Sequence, residues 1–140
     1  MMDRHRSRGH LRPVWHPGDD TVLRGATDDC ARLPRPLPDA LVQLTARELQ
    51  VLGQPLRIRI VDYLDQTGES SVQVLADALD AGQQNVSKHL GVLYGAGVVD
   101  RRREGREVWY ALGGQAGFDL IADVATRVLD RLRALDSDHR

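Results

Sequence analysis

Two stretches of helical period stand three residues apart in the middle of this chain, and that spacing constrains the fold more than any other feature. Val72, Leu75, Ala76 and Leu79 form the apolar face of a first helix, with Ser71 in position to cap it. Val86, Leu90, Val92 and Leu93 form that of a second, running from Gln83 to about Tyr94, with Gly95 and Gly97 as terminators. Asp80-Ala81-Gly82 is all that lies between them. A turn this tight reads as a helix-turn-helix unit, whose second helix can enter a DNA major groove about 12 Å wide.

The polar side of the second helix suits that task. Gln83, Gln84, Asn85, Ser87, Lys88 and His89 gather in its first two turns. Gln and Asn can pair bidentately with adenine, Ser can bond a base or a phosphate, and Lys88 brings charge. An ordinary solvated helix face has a similar composition, so this segment alone leaves both readings open.

The segment after Gly97 narrows the choice. Its pattern is strand-like, with Val98-Val99 and Val108–Leu112 flanking the polar stretch Asp100–Glu107, in which Gly105 marks a hairpin turn. Arg101, Arg102, Arg103 and Arg106 crowd that hairpin against Asp100, Glu104 and Glu107. A short turn gains little from so much like charge unless a polyanion lies opposite. Directly after a helix-turn-helix, a hairpin of this kind is placed to reach the neighbouring backbone or minor groove as a wing.

The rest of the chain fits around this centre. At 140 residues it suits one domain with tails. The formal net charge is −1, so nucleic-acid binding must come from a local basic patch. Aromatic residues are 4% of the total, which leaves the core to Leu, Val, Ile and Ala. Residues 1–36, with Arg4, Arg6, Arg8 and Arg12, lack a lasting period and read as a disordered arm. Helical spacing runs from Leu37 to about Leu52, where Thr45 and Glu48 have capping-box spacing and suggest two short helices. Pro55 opens a further helix with Leu56, Ile60, Val61 and Leu64 on its face, closed by Gly68. After Gly113-Gly114 a last amphipathic helix runs from about Gln115 to Leu135, leaving 136–140 as a tail. The expected fold is mostly α with a β-hairpin wing, a winged helix-turn-helix spanning residues 37–135.

Several functional classes find no support. There is no Gly-rich phosphate loop, no paired carboxylate pocket and no activated nucleophile pattern, so no enzyme and no cofactor are expected. No secretory signal and no apolar run of bilayer length is present, so the expectation is a cytoplasmic protein without membrane contact. Cys30, the sole cysteine, cannot form an intrachain disulfide.

Residues 48–112 resemble the ArsR/SmtB family of winged-helix repressors. The resemblance rests on L-G-Q-P-L-R-I-R-I-V at 52–61, V-Q-V-L-A-D-A-L at 72–79, Q-Q-N-V-S-K-H-L-G-V-L at 83–93, G-A-G-V-V at 95–99 and R-R-R-E-G-R-E-V-W-Y-A-L at 101–112. Arg57 and Ser87 to Leu90 are its most specific parts. It implies a homodimer on a palindromic operator, with Leu41, Leu44, Phe118, Ile121, Ala125, Val128 and Leu132 at the interface. The family's metal sites do not carry over. Ser71, Val72 and Gln73 stand where one site has its cysteines. Asp119 and Asp123 open the last helix, but Arg127 and Arg131 occupy the later donor positions. No metal is expected at these places, and His89 reads as a phosphate contact, or as a residue supporting one from behind, rather than as a metal ligand. Cys30 is the remaining candidate ligand, and sensing of a metal or thiol reagent through it is one alternative. A winged helix used for protein–protein contact is another.

Overall fold

The structure, a computed structural model, describes residues 33–139 of the chain. Among the described residues, five helices and a small sheet follow in the order α1 (Asp39–Leu52), α2 (Pro55–Thr67), β1 (Ser70–Ser71), α3 (Val72–Ala78), α4 (Gln83–Gly95), β2 (Val99–Glu104), β3 (Glu107–Leu112) and α5 (Ala116–Ser137). The sheet is antiparallel in the order β1-β3-β2. Among the described residues no helix is long and apolar enough to cross a membrane.

Local chemistry sets the boundaries of the central unit. The Ser71 hydroxyl accepts from the Val74 amide at 3.3 Å, so the expected cap starts α3. At the other end Asp80 takes a left-handed φ of 50°. The Ala81 amide then reaches back to the Ala76 carbonyl at 3.0 Å and the Asp80 amide to that of Asp77 at 3.4 Å. This pair of bonds is the Schellman arrangement, which stops a helix and turns the chain sharply. The same device ends α4: Gly97 has φ 82°, Val98 donates to Leu93 at 2.9 Å and Gly97 to Tyr94 at 3.0 Å. Gly97 lies beneath Gly113, where a Cβ would stand 2.8 Å from the Gly97 carbonyl oxygen. Backbone thus meets backbone where α4 leaves for the wing and the wing leaves for α5.

The core gathers one side of each element in the centre. Ile60, Val61 and Leu64 of α2, Leu75 of α3, Val86, Leu90 and Leu93 of α4 and Val99 of β2 are buried, and Tyr110 of β3 joins them. The expected faces of α2 and α3 are those observed, and that of α4 is observed without Val92, which is half-buried outside the core. The aliphatic composition of this cluster reflects the scarcity of aromatics.

Four readings of the sequence are corrected. α1 is a single helix, because the Thr45 hydroxyl donates within the helix to the Leu41 carbonyl at 2.7 Å and Glu48 is buried. The charged stretch of the hairpin is itself strand: β2 pairs with β3 from Val99↔Leu112 out to Glu104↔Glu107, leaving Gly105-Arg106 as a two-residue loop. A third strand, β1, pairs Ser70 with Tyr110 and Ser71 with Trp109. Two serines carry no strand period, and only the neighbouring β3 makes them one. Finally α5 continues to Ser137, past the expected end at 135. The arm, up to residue 32 with Cys30 and Arg4 to Arg12, lies outside the described residues.

Candidate nucleic-acid interface

Burying Val86, Leu90 and Leu93 decides which side of α4 faces out. At 3.6 residues per turn, Gln84 and Lys88 lie opposite that stripe, with Gly91 one turn further along. Gln83, Gln84, Asn85, Ser87 and Lys88 are all exposed, so five of the six residues singled out on this helix stand on open surface. Gly82 caps α4 without a side chain, leaving the first-turn amides uncovered by any cap.

His89, the sixth, is half-buried on the flank facing α2. Arg57 Nε donates to its Nδ1 at 3.0 Å. A ring nitrogen that accepts carries no proton, so the proton sits on Nε2. Protonation of the ring is also disfavoured: its pKa lies below the ordinary value through desolvation first, then through the positive charges of Arg57 and Lys88. The Arg57 guanidinium has a second engagement, with Nη1 donating to the Val51 carbonyl at 3.1 Å and to that of Gln50 at 3.4 Å.

The three arginines of β2 divide by strand alternation, and Arg106 stands in the loop. Arg102 lies opposite Trp109 and turns toward β1, where its Nε and Nη2 meet the Glu69 carboxylate at 2.6–2.9 Å and its Nη1 meets Glu104 at 2.7 Å. These carboxylates hold its pKa above the ordinary arginine value, and its guanidinium also lies 5.6 Å from the Trp109 ring. Arg102 is a strut between the wing and the turn before α3. Arg101 points the other way, 4.1 Å over the ring of Tyr94 at the end of α4. Arg103 and Arg106 are exposed beyond it. Glu69 and Tyr94 were not singled out in the sequence. A lone acid in a turn and a tyrosine in a helix carry no signal until the hairpin folds onto them.

The residues assigned to an interface between copies also divide. Phe118 and Ile121 pack against the core of their own protomer, and Leu41 is half-buried. Leu44, Ala125, Val128 and Leu132 are exposed, as are Val124, Leu129 and Leu135 on the same distal part of α5. Asp123 there pairs with Arg127 at 3.3 Å, and among the described residues no three His, Cys, Asp or Glu side chains converge as metal ligands.

A tight helix-turn-helix with an exposed polar second helix, followed by a basic hairpin, defines a winged helix-turn-helix DNA-binding protein. The helix-turn-helix domain model matches residues 52–102. The transcriptional repressor SmtB of Mycobacterium tuberculosis is 40% identical over 108 residues, 77% of this chain and 75% of that protein. In structure the chain is similar to Rv0081 of the same organism, with a TM-score of 0.60 at 35% identity, covering 69% of this chain and 96% of that one. It is similar too to the homodimeric winged helix-turn-helix domain of a possible ArsR-family regulator from Mycobacterium bovis, with a TM-score of 0.59 at 32% identity over 66% and 85% of the two chains. The chain belongs to the ArsR/SmtB family of DNA-binding transcriptional repressors.

Proposed function

We propose that the chain represses transcription as a homodimer on an inverted-repeat operator, with one α4 in each of two successive major grooves. The observation that carries this reading is the uninterrupted polar face of α4 beside a hairpin that holds Arg103 and Arg106 outward. Gln83, Gln84 and Asn85 read base edges near the helix N-terminus. Ser87, Lys88 and His89 meet phosphates. Arg101, Arg103 and Arg106 grip the flanking backbone, while Arg102 keeps the wing in place. The distal apolar side of α5, where Leu132 is 58% and Leu135 61% exposed, packs with α1 against a second copy. The M. bovis relative's homodimeric state supports this. The protein acts by binding, without covalent chemistry, in the cytoplasm where its DNA target lies.

Its effector is not a metal at the family's usual places. The Ser71 hydroxyl is engaged in capping α3, and Asp123 faces a guanidinium. The test is selection from a random duplex library with purified protein, followed by operator affinity with and without one equivalent of Zn²⁺, Ni²⁺, Cu⁺ or arsenite. An inverted repeat with half-sites about one helical turn, or a multiple, apart is expected. No enriched sequence at moderate salt would overturn the reading. A tenfold loss of affinity with any of these reagents would overturn its metal clause, and dependence on Cys30 would place the sensor in the arm.

A further inference from the structure

We propose that Arg57 is a positioning residue of the DNA-reading surface, orienting His89 so that its Nε2–H faces the DNA backbone and tying α4 to the end of α1. This rests on α4 being the recognition helix. Arg57 is the third residue of α2, 32 residues from His89 and six to seven residues past the α1 carbonyls that it holds. The last carbonyls of any helix have no partner within it. In α1 the final turn carries no basic side chain. Arg57 supplies from α2 what α1 lacks: a cation and two N–H···O contacts, to Val51 at 3.1 Å and Gln50 at 3.4 Å.

The same planar guanidinium sends its Nε–H to His89 Nδ1 at 3.0 Å. Its fork geometry allows one side chain to serve both places, which a lysine ammonium on a flexible stem cannot do in the same way. The contact has a chemical consequence for α4. With Nδ1 occupied as acceptor, the imidazole is a single donor through Nε2. The charged groups acting on the ring are Arg57 from α2 and Lys88 from α4, both cations, and each opposes its protonation. His89 lies one turn beyond Asn85 on the same flank, so fixing the ring also fixes that side of the reading face. Without Arg57 the ring would be released to both tautomers and to rotation, and the α1–α4 link would be lost.

The test is a double-mutant cycle on the full chain, reading affinity for the duplex recovered by selection with wild-type protein. The proteins are wild type, Arg57→Gln, His89→Ala and the double variant, each checked for cooperative thermal unfolding. Arg57→Gln is expected to weaken binding about tenfold in the wild-type background and less than twofold once His89 is alanine. Independent costs that simply multiply would overturn the proposal, as would an unchanged affinity in Arg57→Gln. Should that variant fail to fold, Arg57→Lys takes its place, keeping a cation near α1. Nitrogen NMR of the His89 ring in the DNA-free wild type gives a second reading: the Nε2–H tautomer is expected, and a predominant Nδ1–H form would overturn the proposal. Lys88→Ala separates the two levels. If it leaves operator affinity intact, the recognition-helix reading fails, whereas the ring tautomer still judges the Arg57–His89 pair.

Discussion

The guanidinium carbon of Arg101 lies 4.1 Å from the centroid of the Tyr94 ring, fastening the first strand of the wing to the last turn of α4. Exposed contacts of this kind contribute roughly 0.5–1 kcal/mol. Their importance here is geometric, since the helix that enters the groove and the hairpin beside it are held at one angle. Tyr94→Ala should therefore weaken operator binding several-fold with a small loss of stability. An unchanged affinity in a mobility-shift titration would mean that the wing finds its place without this contact.

The wing arginines should differ in their response to salt. Arg103→Ala and Arg106→Ala are each expected to weaken binding to all sequences evenly, lowering the slope of log affinity against log salt by about one. Arg102→Ala should leave the slope nearly unchanged, because Glu69 and Glu104 already neutralise that guanidinium. Its effect should be faster hydrogen exchange along β2 and β3. A slope change equal to that of Arg103→Ala would show that the Glu69 pair opens on DNA.

Association should depend on the distal half of α5. Val128 and Leu132 are exposed in the protomer, and burying such side chains contributes about 1.5–3 kcal/mol each. Val128→Asp combined with Leu132→Asp is expected to give folded monomers in sedimentation equilibrium that have lost tight operator binding. A persistent dimer would place the interface elsewhere.

Glycine substitutions should move stability in opposite directions. Gly97→Ala meets a left-handed φ of 82° and should cost about 1–2 kcal/mol in urea unfolding. Gly113→Ala drives a Cβ to 2.8 Å from backbone and should cost about 1–3 kcal/mol. Gly91→Ala, mid-helix with nothing within 4 Å, should instead stabilise by about 0.5–1 kcal/mol. A stable Gly113→Ala variant would contradict the packing between the two turns.

The pH dependence of stability is set in part by His89. Its folded pKa is depressed, so between that value and the unfolded one near 6.5 the unfolded chain binds more protons. The stability it contributes is present above about pH 6.5 and is lost as pH falls through the lowered folded value. Wild type should accordingly lose more stability than His89→Gln between about pH 7.5 and pH 5. Parallel curves for the two proteins would dismiss the claim.

Much of this molecule is legible in its sequence alone. Helical and strand periods are local properties, so the order of α2 to α5 and the hairpin can be read from apolar spacing, and burial of Val86, Leu90 and Leu93 leaves Gln84 and Lys88 outward as expected. Ser71 and Gly97 act as the cap and terminator their types suggest, because both work through bonds a few residues away.

Tertiary structure decided which charged and polar side chains meet. Arg57 reaches His89 across 32 residues, and Arg102 reaches Glu69 across 33. Arg57 had a clear type and no visible partner in sequence, and for Arg102 the nearby Glu104 was visible while Glu69 was not. The two serines of β1 became a strand only by pairing with β3, and Gly113 is required by the carbonyl of Gly97 beneath it. Periodicity encodes which side of an element is apolar. Packing alone sets the distance and angle between elements, and a hydrogen bond or ion pair forms only when both are right.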